Sequence, residues 1–181
     1  SAEDWIASDP ATPWFAFINL MEAHIPYAPP GRFRSEFTAG FSDAELRAID
    51  QNLVIDLAPG RPPRPEREYA GLRALYDGEI AYTDLLLGRL LDFLESSGRL
   101  DRTLLIVTAD HGENLGDHQP LDHQLGLWDT LTRVPLVARL PGAFPPGTVR
   151  TDLVSLVDVA PAILSLAGAA PADGPLGARG A

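Results

Sequence analysis

The sequence contains no cysteine, which excludes disulfides, thiolate metal sites and a cysteine nucleophile among these 181 residues. It also contains no lysine. All 14 basic residues are therefore arginine, set against 25 Asp and Glu, for a net charge of −11 and a pI near 4.6. An acidic balance of this size argues against general nucleic-acid binding, which rests on a basic footprint. It does not argue against an anionic ligand, because a bound cation inverts the field around it. No apolar run approaches the roughly 20 residues of a membrane-spanning helix. The longest with few interruptions, residues 14–21, has the length of a strand. The opening residues Ser1-Ala2-Glu3-Asp4-Trp5 have neither a Met nor a basic stretch leading into an apolar one. They read as neither a natural start nor a signal peptide, and a piece of a longer chain is the expectation.

What is present is an ordinary globular composition, 45% hydrophobic and 22% charged, which excludes bulk disorder. The length favours one domain, able to bury roughly 70% of the surface of its unfolded chain. Residues 14–20 (WFAFINL), bounded by Pro13, predict a buried strand. The Pro-rich stretch from Glu22 to Pro30 can neither stay helical nor pair as a central strand, so it predicts a loop. Ser42-Asp43-Ala44-Glu45 predicts a capped helix start, and residues 58–65 (APGRPPRP) a connector. From Glu66 to Ser97 apolar residues recur at helical spacing, with Gly98 as the expected cap. Residues 103–109 (TLLIVTA) predict a central parallel strand, residues 134–140 a second strand and residues 152–156 a third. A helix follows from Asp158 to Gly168, with Pro161 in its first turn.

Strands alternating with helices predict an α/β fold, a mainly parallel sheet flanked by helices, over residues 1–168. Residues 169–181, rich in Gly, Pro and Ala, predict a flexible tail or linker. In such sheets ligands gather beyond the carboxyl ends of the strands. The loops after strands 14–20 and 103–109 occupy that position, and between them they contain all 4 histidines.

The second loop runs Asp110-His111-Gly112-Glu113-Asn114-Leu115-Gly116-Asp117-His118, then on to Asp122-His123. Such a density of carboxylates and imidazoles suits a divalent cation, Zn²⁺, Mn²⁺ or Ca²⁺, with imidazole weighing against Ca²⁺. Asp110 and His111, at the very end of an apolar strand, are held rigidly enough to be ligands. Gly112 and Gly116 let the backbone turn behind them. His118 and His123 fit substrate contact or general acid work, and equally hydrogen-bonding support or loop packing. His24, between Ala23 and Ile25, taken alone reads as a satisfied, partly buried imidazole.

T-A-D-H-G-E-N-L-G-D-H at 108–118, followed by R-V-P-L-V-A-R-L-P-G at 133–142, resembles the C-terminal part of the sulfatase catalytic domain, within the alkaline phosphatase superfamily. F-I-N-L-M-E-A-H-I-P-Y-A-P-P at 17–30, Y-D-G-E-I-A-Y-T-D-L-L-L-G-R-L-L at 76–91 and V-S-L-V-D-V-A-P-A-I-L at 154–164 are similar too, in the family's order. The resemblance implies an alkaline-phosphatase-like partial domain and a sulfuric ester hydrolase acting on an anionic small-molecule ester; the charge balance and the lack of a long apolar run already lead us to expect no nucleic-acid or membrane partner.

By position, Asp110 and His111 resemble the family's pair that binds one divalent metal, Ca²⁺ or Mn²⁺ ahead of Zn²⁺. Many sulfatases carry Asn at the second place; His occurs in related phosphoester and phosphonate hydrolases. His24 matches the family His that contacts the anionic group, which displaces the plainer reading above. His123 stands where many members carry a Lys with the same task, and His is a weaker cation. His118 matches the G-[DE]-H of the family and implies a supporting residue. The family's nucleophile lies in an earlier C/S-x-P-x-R segment that has no counterpart here; Ser8-Asp9-Pro10-Ala11-Thr12 lacks the Arg.

These residues are expected to form the latter half of a catalytic domain whose N-terminal half is missing, inactive alone. The rival readings are a phosphodiester or phosphonate monoester hydrolase of the same superfamily and a non-catalytic α/β binding module.

Overall fold

The computed structural model describes residues 1–9, 11–52, 63–117, 123 and 126–169, which divide into two compact units. The first unit comprises Ser1–Leu100 with His111–Val134; the second comprises Asp101–Asp110 with the chain from Pro135 on.

The first unit is organised by the helical spacing read between residues 66 and 97. It forms one unbroken helix α4, Glu66–Ser96, after the short helices α1 (Ala2–Ser8), α2 (Gly31–Phe37) and α3 (Asp43–Asn52). Pro65 precedes its first turn, where Glu66 and Glu68 face the positive end of the helix dipole. Gly98, at φ +66°, ends it, and the Arg99 N–H returns to the Leu94 carbonyl at 2.8 Å. Tyr69, Leu72 and Leu75, one turn apart, are buried on a single face against Tyr27, Leu46 and Ile49.

The three glycines in α4, Gly71, Gly78 and Gly88, cost helix propensity, about 1 kcal/mol each against Ala, and the packing explains the first two. A Cβ on Gly71 would stand 2.5 Å from Ile49 Cδ1 of α3, and one on Gly78 would stand 2.9 Å from Pro29 Cγ. The expected cap of α3 is present as a reciprocal pair. The Glu45 N–H donates to Ser42 Oγ, and the Ser42 N–H donates to Glu45 Oε2 at 2.8 Å. Arg67 of α4 donates Nε to Glu45 Oε1 at 2.8 Å while its guanidinium lies over the Phe41 ring.

The second unit holds β1, Leu105–Thr108, and β2, Leu136–Arg139. A mainly parallel sheet was expected, but these strands pair antiparallel, from Leu105 opposite Arg139 to Thr108 opposite Leu136. The reason lies in their connection. A parallel pair usually takes a long crossover helix, and the described part of the connection holds only α5 (Asp129–Thr132), a single turn. The helix expected from residue 158 is α6, Val159–Leu166, preceded by a 3₁₀ turn at Leu156–Asp158.

The strands expected at 14–20 and 152–156 do not form among the described residues. Both stretches lack a neighbouring strand to complete a ladder, so their apolar side chains stay outside, with Phe17 83% and Leu153 fully exposed. The Pro-rich connector falls mostly, and the tail almost wholly, outside the described residues. Among the described residues no helix is long and apolar enough to cross a membrane.

Leu72, with no exposed surface, is expected on Leu72→Ala to lose about 2–5 kcal/mol in denaturant unfolding. Glu45 is held down to about 2 by Arg67 first and then by Ser42. A carboxyl depressed in the folded state stabilises above its ordinary value of 4.5 and loses that contribution as pH falls through about 2. The melting temperatures of wild type and Glu45→Gln should therefore differ at neutral pH and converge across that acid range.

Candidate active site

The apolar, β-branched run of β1 closes with Thr108, whose Oγ1 donates to the Pro135 carbonyl at 2.8 Å. Asp110 is the last residue of the second unit's first segment, and His111 opens the returning segment of the first unit. That segment is pressed against α5. The Gly112 N–H donates to the Leu131 carbonyl at 2.7 Å, and a Cβ on Gly112 would lie 1.9 Å from the Thr130 carbonyl oxygen. Asn114, fully buried, accepts from Thr130 Oγ1 at 2.6 Å. Gly116 then turns at φ +101° against the Tyr69 ring, so both glycines read from sequence have geometric causes.

Three imidazoles come together in the first unit. The His111 and His123 rings stack with centroids 4.1 Å apart, and the His24 ring lies 5.5 Å from that of His123. His24 is supplied by a segment almost a hundred residues away, the loop predicted at 22–30. In all three rings Nδ1 faces an acceptor: the Ile25 carbonyl at 2.7 Å for His24, the Gly112 carbonyl at 2.9 Å for His111 and Glu113 Oε2 at 3.3 Å for His123. A carbonyl oxygen can only accept, so Nδ1 carries the proton in His24 and His111. Their neutral rings therefore have the lone pair on Nε2.

Glu113 was not singled out by sequence reasoning, because nothing in its spacing of ten residues from His123 signals a pair. Its side chain is 5% exposed; Oε2 meets His123, and Oε1 is buried with no hydrogen-bond partner among the described residues. A carboxylate so enclosed depends on its partner for compensation. It reaches further: burial pushes the Tyr76 phenol up, and Glu113 and then Asp77 add to that.

Glu79 was also missed, although the sequence contains a signal, an acid on the apolar stripe of α4. It is 4% exposed and accepts from the Ala28 N–H at 2.7 Å. Burial pushes its carboxyl above the usual range, against the opposing pull of the Ala28 N–H and with Glu22 adding to the rise.

Of the residues read from sequence, the first unit thus unites His24, His111 and His123. Asp110 is grouped with the second unit, and His118 lies outside the described residues. The donor chemistry at Asp110-His111 fits a divalent metal. In the chain a carboxylate precedes an imidazole whose Nδ1–H is already given to a carbonyl, which leaves Nε2 as the ligating atom. Two ligands are only part of a shell, and among the described residues no group of three or more His, Cys, Asp or Glu is arranged to hold an ion.

A family model described as Sulfatase matches residues 1–169. The chain is 34% identical over 106 residues to Arylsulfatase K of Xenopus laevis, covering 59% of this chain and 19% of that protein. It is 39% identical over 177 residues to the Multifunctional alkaline phosphatase superfamily protein PehA of Trinickia caryophylli, covering 86% of this chain and 34% of that one. Among solved structures it is similar to the phosphonate monoester hydrolase of Agrobacterium radiobacter, with a TM-score of 0.63 and 29% identity over 78% of this chain and 32% of that one. The fold is of this alkaline-phosphatase-like kind. The chain spans about a fifth to a third of the length of these curated relatives.

Gly112→Ala drives a methyl group into the backbone of Thr130. It is expected to destabilise the protein by about 1–3 kcal/mol in denaturant unfolding.

Proposed function

The chain belongs to the sulfatase family, and from that premise we propose that it is part of an enzyme that hydrolyses sulfate esters. In this reading residues 1–168 are the latter half of the catalytic domain, with 169–181 a tail. The complete domain joins the β1–β2 pair to a mainly parallel sheet. The single observation that carries the proposal is the meeting of His24, His111 and His123. With Nδ1 turned to an acceptor in all three rings, the chemistry falls to Nε2: it can ligate a cation from the neutral ring of His111 and donate to an anionic group from the protonated rings of His24 and His123.

The reaction is R–O–SO₃⁻ + H₂O → R–OH + HSO₄⁻, in which the S–O bond to the leaving oxygen breaks. Charge grows on that oxygen and on the nonbridging oxygens, so the site needs hydrogen-bond donors and a proton source. In the proposed assignment His24 and His123 bind the nonbridging oxygens, each donating from Nε2 when protonated. His118 supports the site. Glu113 accepts from Nδ1 of His123 and so orients that ring at a place where many family members have a Lys. Asp110 and His111 would hold the metal of a family that is generally divalent-metal dependent, with Ca²⁺ or Mn²⁺ ahead of Zn²⁺. When bound, the metal neutralises charge on the transferred group. The nucleophile belongs to a C/S-x-P-x-R segment, which does not occur in these 181 residues.

A second reading, hydrolysis of phosphonate monoesters or phosphodiesters, is favoured by the likeness to the phosphonate monoester hydrolase. The metal pair and imidazoles serve either ester; the charge and size of the transferred group differ.

Assayed in the full-length protein, an aryl sulfate should be turned over faster than an aryl phosphonate monoester or phosphodiester. The reverse order would replace the first reading by the second, and no turnover of any of them would leave the binding module. His24→Ala is expected to lower kcat/KM for the sulfate by about 10²–10³-fold, as for other oxyanion donors. Chelation should abolish turnover and a divalent salt should restore it, whereas Asp110→Ala should resist restoration at the same salt concentration.

A further inference from the structure

The loop that presents His24 is poor in its own means of support. Pro26, Pro29 and Pro30 have no N–H, so few donors remain in the segment to hold it. The His24 N–H reaches the Met21 carbonyl at 3.2 Å, and the Ala28 N–H reaches another element altogether. That element is α4. Within one turn of it, three consecutive features grip three consecutive loop residues. The Tyr76 ring meets the buried Tyr27 ring edge-on at 5.4 Å. Glu79 Oε1 accepts from the Ala28 N–H at 2.7 Å across 51 residues of sequence. The bare Gly78 backbone admits Pro29, whose Cγ would stand 2.9 Å from a Cβ there.

The polar member of this grip is costly. Glu79 is almost wholly buried, and Glu22 of the same loop brings a second carboxylate whose Oε2 is buried with no hydrogen-bond partner among the described residues. A buried acid lining up with an apolar stripe does nothing for the core; a leucine would fill the position at less desolvation cost. What the carboxylate supplies is a charge-assisted bond to one backbone N–H, which fixes the loop in place and direction.

We propose that Glu79 is a positioning residue for His24: by holding the Ala28 N–H, flanked by the Tyr76 and Gly78 contacts, it fixes the loop that sets the His24 ring beside His123. The proposal rests on the reading of His24 as a residue that contacts the substrate. Glu79 itself touches neither substrate nor metal. It acts through His24 alone, and that sets it apart from a residue that only stabilises the helix.

A double-mutant cycle in the full-length protein tests this, with an aryl sulfate as substrate. Glu79→Ala is expected to lower kcat/KM by roughly 10–100-fold, the scale of a displaced catalytic group. In the His24→Ala background the same change should cost no more than about twofold, because the group it positions is gone. Glu79→Gln retains an oxygen acceptor and should recover most of the loss. An equal loss in both backgrounds, or a Gln variant no better than Ala, would overturn the proposal. Should Glu79→Ala not fold, Gly78→Ala displaces Pro29 with Glu79 intact, and its loss should be confined to the His24 background in the same way.

A second measurement needs no turnover. The ¹⁵N shifts of the neutral His24 ring should report one tautomer, with the proton on Nδ1 as the Ile25 contact requires, and a mixture in Glu79→Ala. An unchanged ring overturns the proposal whatever ester is hydrolysed. A changed ring in a protein that hydrolyses no sulfate supports the positioning and overturns the proposed function instead.

Discussion

α4 buries Tyr69, Leu72 and Leu75 along one face, and both the His24 loop and the segment that follows His111 are placed by contact with that helix. α3 closes on it at Gly71 through Ile49, and the His24 loop closes on it at Gly78 through Pro29. The segment after His111 reaches it twice. Gly116 lies against the Tyr69 ring, and Arg73 Nη1 donates to the Leu115 carbonyl at 3.1 Å. Burial of apolar surface is non-directional, so it fixes how close these segments come rather than how their side chains point. Direction comes from the few polar contacts made within the packed region.

Those polar contacts have a common character. Glu79 and Glu113 are carboxylates placed where an apolar residue would be less costly, and each is bonded to a group that belongs to the site: the His24 loop in one case, the His123 ring in the other. Glu113 keeps one oxygen without a hydrogen-bond partner among the described residues. Local rules of burial and satisfaction are broken here and obeyed around Leu72, which is the pattern expected where a fold has been fitted to chemistry. Orientation is obtained at the expense of stability.

Much of this was legible in sequence. The helix from 66 to its Gly98 cap, the Ser42-Glu45 cap and the strands within 103–109 and 134–140 all follow from spacing and capping chemistry, which act over a few residues. The 22–30 loop followed from proline. What did not follow was pairing. WFAFINL has the composition of a buried strand yet forms none and lies mostly exposed, since composition makes a segment able to pair but cannot supply the neighbour. The direction of β2 against β1 is likewise a matter of pairing, and the described part of their connection holds only the single turn of α5.

The site divides in the same way. Sequence alone determined which residue types are available: carboxylate and imidazole at the end of β1, a histidine in a proline-held loop, no thiol and no lysine. It also determined the family, since motif order along the chain survives without any knowledge of distance. Tertiary structure decided which histidines meet, giving His24 and His111 a shared neighbour in His123, and it decided that Glu113 and Glu79 matter at all. The physical reason is range. Propensity, capping and periodicity are set within a turn or two of chain, whereas a hydrogen bond spanning 51 residues exists only once a hydrophobic face has brought its two ends together.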